Sequence, residues 1–226
     1  MLRRLILKIS SSRLISKIFL KQILGLHTFL YDLISVMSVS FNGGKHPKHE
    51  ILKYENWFLH HLDKEDIVLD IGSNTGNLAK HFSKKVKKVY GIEIEETHFL
   101  KSLNNKPNNV EFFNADATEF NYEKIDKVSK VTLSNVLEHI EKRTSFLKKL
   151  IDAFEDKDIK FLIRVPLITR DWLPVYKKKL NLEYRLDKTH FIEYDLETFK
   201  KEILESDLKI TSLDQIFGEI FAVCEQ

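Results

Sequence analysis

The sequence predicts an α/β fold with a doubly wound, mainly parallel sheet. Short apolar runs alternate with helix-period segments from Ile67 to Val165, the pattern of βαβ units with right-handed crossovers. The first run leads through a glycine-containing turn, Asp70-Ile71-Gly72-Ser73-Asn74-Thr75-Gly76, into a helix. At the end, two β-like runs follow each other with too few residues between them for a crossover helix, which predicts an antiparallel hairpin at one sheet edge.

Composition sets the bounds. The chain has 226 residues, long enough for one α/β domain and an appendage but short for two ordinary domains. With 43% hydrophobic and 31% charged residues, four prolines and seven glycines, it reads as a folded globular chain without long disordered stretches. A net charge of +3, from 36 basic and 33 acidic residues, is close to neutral, so no nucleic-acid partner is expected. The lone Cys224 excludes an internal disulfide or a cysteine-rich metal site and reads as a buried strand residue; it fits a reducing, cytoplasmic location.

Residues 1–44 stand apart as a basic, amphipathic helical segment. Met1 to Tyr31 holds no Asp or Glu but carries Arg3, Arg4, Lys8, Arg13, Lys17 and Lys21. Leu14, Ile15, Ile18, Phe19, Ile23 and Leu26 recur at helical spacing, predicting a helix from about residue 13 to 24. A second apolar run, Phe29 to Met37, carries Asp32. Neither run gives about eighteen uninterrupted apolar residues, so no transmembrane span is expected. Three uses stay open: a helical cap on the core, a helix lying on an anionic membrane surface, or an acid-free transit peptide within the first nineteen residues.

The breaker cluster Asn42-Gly43-Gly44-Lys45-His46-Pro47 is the predicted linker into a main domain over residues 45–226. A helix is predicted from Glu50 to Leu62, with Ile51, Leu52, Phe58, Leu59 and Leu62 as its stripe. Strands are predicted at Ile67 to Ile71, Lys88 to Ile92, Val110 to Phe113, Lys130 to Leu133 and Ile159 to Val165. Helices begin at Asn77, Glu96 and Arg143, and another runs from Leu196 to Glu205. Leu208 to Leu213 and Ile216 to Cys224 form the hairpin, bringing the strand count to seven.

The turn from Asp70 to Gly76 lies at the carboxyl edge of the sheet, where open α/β folds bind ligands. Glu93 ends the second strand about twenty residues later, the distance at which a carboxylate can accept hydrogen bonds from ribose hydroxyls. Asn114-Ala115-Asp116-Ala117 follows the third strand, and Asn135-Val136-Leu137-Glu138-His139 the fourth.

Asp70-Ile71-Gly72-x-x-x-Gly76 resembles the first motif of class I S-adenosylmethionine (SAM)-dependent methyltransferases, and the segments at Asp116 and at Asn135 to His139 resemble their third and fourth motifs. The resemblance covers Asp66 to about Val165 and implies a Rossmann-like seven-stranded sheet with SAM as methyl donor. It implies that Gly72, Ser73 and Gly76 line the methionine part of SAM and that Asp70 orients the loop or the amino group. It also implies that Glu93 holds both ribose hydroxyls, Ile94 flanks the adenine, Asp116 contacts the adenine amino group and the Ala117 N–H the ring, with Asn135 completing the cofactor set. One position departs: Asn74 stands where the family usually has glycine, and asparagine tolerates left-handed backbone better than most residues.

Methyl transfer from a sulfonium is an in-line displacement, so the protein must position the acceptor and, for a hydroxyl, remove or polarise its proton. Glu138 and His139 lie at the right edge, and family members place an acceptor-site histidine where His190 falls, before the last helix. His139 and His190 are therefore candidates for general base or acceptor-orienting groups. The pattern also looks like the metal set of small-RNA 3′-terminal 2′-O-methyltransferases, which would make Glu138, His139 and His190 ligands of a Mg²⁺- or Mn²⁺-like ion, with Asn135 in place of the first carboxylate. A purely structural role for both histidines is the third reading.

The expected acceptor is a hydroxyl on a saccharide or other polar metabolite, because no thiol or zinc chemistry is available. Arg164, Arg170, Trp172 and Tyr176 suit a sugar or phosphate-bearing molecule, whereas Lys177, Lys178 and Lys179 read as a solvated helix face. Lys45-His46-Pro47-Lys48-His49 is either a contact for an anionic substrate or a plain loop. Two rival functions stand beside the methyltransferase: an NAD-dependent oxidoreductase, and a non-catalytic SAM-fold protein binding a membrane surface or a partner through its basic N-terminus.

Overall fold

The computed structural model describes residues 12–125, 127–154 and 158–226, so Arg3, Arg4 and Lys8 of the basic segment, and most of the transit-peptide reading, lie outside the described residues. The chain forms two compact units: residues up to Leu52 together with Trp172–Tyr184, and Lys53–Asp171 together with Arg185–Gln226.

In the smaller unit, the two predicted apolar segments are one helix, α1 (Arg13–Phe41), capped by the Ser12 side chain. Asp32 does not interrupt it, because a single exposed carboxylate leaves the backbone ladder intact. This changes the arithmetic used against a membrane span: an 18-residue window of α1 reaches a mean hydropathy of 1.4 with at most two charged residues. The stripe expected to pack as a cap is not buried either; Leu14, Ile15, Ile18, Phe19, Ile23 and Leu26 are all exposed, and Leu24 is the buried residue of α1.

The helix expected from Glu50 to Leu62 is broken in two, α2 (Pro47–Leu52) and α3 (Tyr54–His60). Lys53 between them has φ 45°, a left-handed conformation that ends the ladder. The apolar stripe is discontinuous for the same reason: Ile51 is exposed, while Phe58 and Leu62 are buried. Tyr54 restarts the chain under the Arg164 guanidinium, 4.1 Å from its ring centroid.

The larger unit is built on a seven-stranded sheet: β1 (Ile67–Ile71), β2 (Lys88–Glu93), β3 (Val110–Asn114), β4 (Lys130–Ser134), β5 (Lys160–Pro166), β6 (Lys209–Ile216) and β7 (Glu219–Glu225), in the order β3-β2-β1-β4-β5-β7-β6. The first five strands pair in parallel, and β7 enters antiparallel between β5 and β6. Phe217 and Gly218, with φ 53° and 76°, make the two-residue turn of the expected hairpin. Helices α4 (Asn77–Phe82), α5 (Glu96–Ser102), α6 (Arg143–Ala153) and α8 (Leu196–Glu205) flank the sheet, and α7 (Trp172–Lys179) belongs to the smaller unit.

Alternation along each strand divides the core between the two faces. Val68 and Leu162 join Phe58 and Phe82 on one side, whereas their neighbours Leu69, Phe161 and Ile163 join Phe146 and Phe199 on the other. Cys224 is fully buried in β7, as predicted, and burial pushes its thiol up to about 12. The strand order reverses between β1 and β4, the switch point at which loops diverge and leave a crevice at the carboxyl ends of the strands.

Candidate active site

The β1–α4 loop is shaped by three left-handed residues. Gly72, Asn74 and Gly76 have φ values of 69°, 48° and 74°. A Cβ on Gly72 would lie 2.6 Å from Val136 Cγ2, and one on Gly76 2.6 Å from Phe112 Cζ, so both positions require glycine for space as well as torsion. Asn74 takes the third left-handed position and holds it by accepting the Thr75 N–H on its own Oδ1 at 2.7 Å. The departure from glycine at Asn74 is thus accommodated by the same backbone shape.

Glu93 fastens this loop. Its Oε2 accepts from the Asn74 N–H at 2.7 Å and its Oε1 from the Glu95 N–H at 2.9 Å, leaving further lone pairs on a carboxylate that lines the cleft. The cleft has a volume of about 970 Å³, at the upper end of small-molecule sites, about 300–1,000 Å³. Gly72, Glu93, Ile94, Asp116, Ala117, Asn135 and His139 line it together. Asp70, Ser73, Gly76, Glu138 and His190 are not part of that lining. Asp116 makes an Asx turn, its Oδ1 accepting from both the Thr118 N–H and Oγ1–H at 2.8 Å.

Asp70 is buried at the end of β1, with Oδ1 accepting from Thr132 Oγ1 at 2.7 Å and Oδ2 without a partner. Burial raises its pKa to about 7, against the opposing Thr132 hydrogen bond. Among the described residues, the buried side-chain polar atoms lacking a partner are Asp70 Oδ2, Ser73 Oγ, Asn135 Oδ1 and both oxygens of Glu138. All belong to residues singled out from the sequence. Buried polar groups are almost always satisfied, so these orphans are places where a bound water or ligand atom would complete the hydrogen bonding. Asn135 is moreover held at φ 56° while its N–H is donated to the Arg164 carbonyl at 2.8 Å.

Glu138, His139 and His190 come together, each offering one ligand atom within 4.8 Å of the others. The two rings meet edge to face, with centroids 4.6 Å apart. Their hydrogen bonds fix the tautomers. Thr189 Oγ1 donates to Asp187 Oδ1 at 2.8 Å, so toward His139 Nδ1, 2.9 Å away, it can only accept. His190 Nδ1 faces Glu193 Oε1 at 2.8 Å, a carboxylate held below its usual pKa by His190, the Leu186 N–H and Arg170 despite its burial. Both Nδ1 atoms are therefore donors, so in the neutral ring Nε2 is the acceptor atom. Partial desolvation and the neighbouring His190 hold the His139 pKa below its ordinary value, while burial raises that of Glu138 to about 8.

Asp187, Thr189 and Glu193 were not assigned from the sequence. His190-x-x-Glu193 is a local spacing that could have marked one of them; the Thr189–His139 pair spans 50 residues and has no local signal.

A methyltransferase-domain family profile matches residues 45–213. The chain belongs to the class I SAM-dependent methyltransferases. It is 35% identical over 107 residues to an uncharacterised protein of Methanocaldococcus jannaschii, covering 45% of this chain and 41% of that one. It is 30% identical over 127 residues to a Methanococcus maripaludis protein named probable cobalt-precorrin-6B C(15)-methyltransferase (decarboxylating), covering 56% of this chain and 66% of that one. The chain thus spans less than half of the first of these relatives. Among solved structures, DhpI in a SAM complex superposes with a TM-score of 0.63 at 14% identity, covering 89% of this chain and 98% of that one. The small-RNA methyltransferase HEN1 does so with a TM-score of 0.63 at 15% identity, covering 77% of this chain and 25% of that one. At these identities the superpositions establish the fold.

In this family member, two residues expected to recognise a sugar or phosphate-bearing acceptor are engaged elsewhere, and one expected in solvent is not there. Arg164 is buried and forks onto buried Glu219, with Nη2 to Oε1 at 3.0 Å. Arg170 donates to Glu193 Oε2 at 2.7 Å and to the Leu167 carbonyl. Lys177, expected on a solvated face, is buried and donates to Thr28 Oγ1 at 2.7 Å within the smaller unit. Arg164 lies within β5 and Arg170 just after it, and their carboxylates, Glu219 of β7 and Glu193 ahead of α8, are distant in sequence, so no local pattern reveals them.

Proposed function

We propose that this protein transfers the methyl group of SAM to a hydroxyl oxygen of a small polar acceptor, a saccharide being the chemistry its near-neutral charge and hydroxyl-directed groups suit. The catalytic domain in this reading runs over residues 45–226. The observation that carries it is the set of unpartnered buried polar atoms on Asp70, Ser73, Asn135 and Glu138, beside a cleft lined by Glu93 and Asp116. SAM brings an ammonium, a carboxylate, two ribose hydroxyls and an adenine, and the loop, Glu93 and the Asp116–Ala117 segment offer complementary groups in that order along the cleft.

The acceptor oxygen attacks the methyl carbon as the carbon–sulfur bond breaks, so the sulfonium becomes a neutral thioether and one proton must leave the hydroxyl. His139 Nε2 is the receiving atom: it lines the cleft, is neutral near pH 7, and has its ring held by Thr189 and Asp187. His190, locked by Glu193, orients the acceptor beside it.

The same geometry favours a second reading of the triad. Two imidazole nitrogens and Glu138, a carboxyl with no hydrogen-bond partner that gives up its proton on ligating a metal, form a set that a divalent cation would satisfy. Glu138, His139 and His190 would hold it, with Asn135 Oδ1 as a neutral fourth group. Such an ion, when bound, polarises the acceptor hydroxyl and eases loss of its proton.

One set of measurements tests both. Calorimetry should give saturable SAM binding and none for NAD. With an acceptor from a panel of monosaccharides, nucleosides and other hydroxyl compounds, S-adenosylhomocysteine release should fall about a hundredfold or more in His139→Ala and in His190→Ala. Full rate in both variants sinks the hydroxyl chemistry assigned to them. Loss of rate on chelation, restored by Mg²⁺ or Mn²⁺, together with Mn²⁺ binding by paramagnetic relaxation that Glu138→Gln removes, supports the metal reading; a rate indifferent to chelator removes it.

A further inference from the structure

We infer that α1 docks in the plane of an anionic lipid bilayer, with its apolar arc in the acyl boundary and its polar arc toward protein and headgroups. The inference is independent of the methyltransferase reading. On the helical period, Ile15, Ile18, Phe19, Leu26, Phe29 and Met37 share one arc, and all are exposed. Ser16, Leu20, Leu24, Thr28, Ser35, Ser38 and Val39 share the opposite arc, and these are the buried or half-buried positions of α1. A helix packed for water hides its broadest apolar side, whereas here that side is exposed and the inward arc is mixed, with Leu20, Leu24 and Val39 beside Ser16, Thr28 and Ser35. On that inward arc Lys177 of α7 donates to Thr28 from within the same unit, beside buried Leu24.

Lipid is the occupant that fits this exposed apolar arc. The helix has 29 residues and so runs about 43 Å, a length no small ligand covers. Arg13, Lys17 and Lys21 are exposed on the polar arc of its first half, and no acidic residue precedes Asp32 within α1. Lysine and arginine stems on that flank reach headgroups while the apolar arc is immersed, the arrangement of interfacial helices. Asp32 falls on the polar arc, where an in-plane helix keeps it hydrated; a spanning helix would carry it into hydrocarbon.

The full chain is sedimented with phosphatidylcholine vesicles containing or lacking phosphatidylglycerol, and bound protein is then washed with alkaline carbonate. The chain should pellet with the anionic vesicles, release in carbonate, and lose about fivefold in partitioning for each of Lys17→Gln and Lys21→Gln. A Leu26→Glu, Leu33→Glu double variant should stay in the supernatant with an unchanged circular dichroism spectrum, since both leucines are exposed. Wild-type protein that remains in the supernatant overturns the proposal. So does retention through carbonate, which marks a span, and so does a lipid-free dimer that the double variant converts to monomer, which marks a second copy as the occupant.

Discussion

Asp70 shows how a single buried carboxylate ties stability to pH. Its folded pKa of about 7 lies above the ordinary 3.8, chiefly because burial disfavours the charge. Between those values the folded protein holds a proton that the unfolded chain has released, so stability falls as pH rises through that window and levels off above it. The shift corresponds to at most about 4 kcal/mol. Urea midpoints measured without ligand should therefore drop between about pH 4 and pH 7 in the wild type, and Asp70→Asn should flatten that part of the profile while weakening SAM binding at pH 8. An unchanged slope in the variant would show that Asp70 is not the titrating group. Positions at this scale were legible where the sequence carries a spacing: Asp70, Gly72, Glu93 and Asp116 sit at or just after strand ends whose periodicity is local. Thr189, Asp187 and Glu193 were not, because each is defined by the ring it orients, and the Thr189–His139 contact is formed only when a distant segment folds back on the β4 edge.

At the scale of elements, the sheet was readable because each strand is a short apolar run bounded by charge or glycine, and α8 begins and ends at the predicted Leu196 and Glu205. The helices before the sheet were less so. Periodicity counts apolar residues without knowing what covers them, so it joined α2 to α3 across Lys53 and cut α1 into two. The β1–α4 loop shows the opposite case, where backbone shape was legible from a residue that looked wrong. If Asn74 is accepted for its left-handed φ of 48° and its bond to the Thr75 N–H, then Asn74→Gly should hold the fold and bind SAM almost as the wild type does. Asn74→Ala keeps neither the torsional tolerance nor the side-chain acceptor, and should lose about 1–2 kcal/mol, lowering Tm by a few degrees for a chain of this size. Equal thermal stability of the two variants would mean that the loop relaxes to another conformation.

For the whole molecule, the consequence lies in how the chain is partitioned. The cleft is lined entirely by residues of the larger unit, while Trp172–Tyr184 depart from the β5 end to fold with residues up to Leu52. A sequence read element by element does not reveal this, since α7 follows β5 as any βα segment would; the burial of Lys177 against Thr28 marks its allegiance. Ligand binding stabilises the unit that holds the ligand, by an amount set by its concentration over Kd, and leaves independent units alone. Hydrogen exchange with saturating SAM should accordingly slow amides at 72–76, 92–95 and 115–118, where the cleft meets the loop, Glu93 and Asp116. Amides at 13–52 and 172–184 should exchange at their ligand-free rates. Protection that spreads into 172–184 on adding SAM alone would show that this segment responds to the cofactor, and the two-unit division would then describe the ligand-free chain only. Exchange that is unchanged at 72–76 would remove the loop from the cofactor site, and with it the reading of Asp70 and Gly72 as its frame.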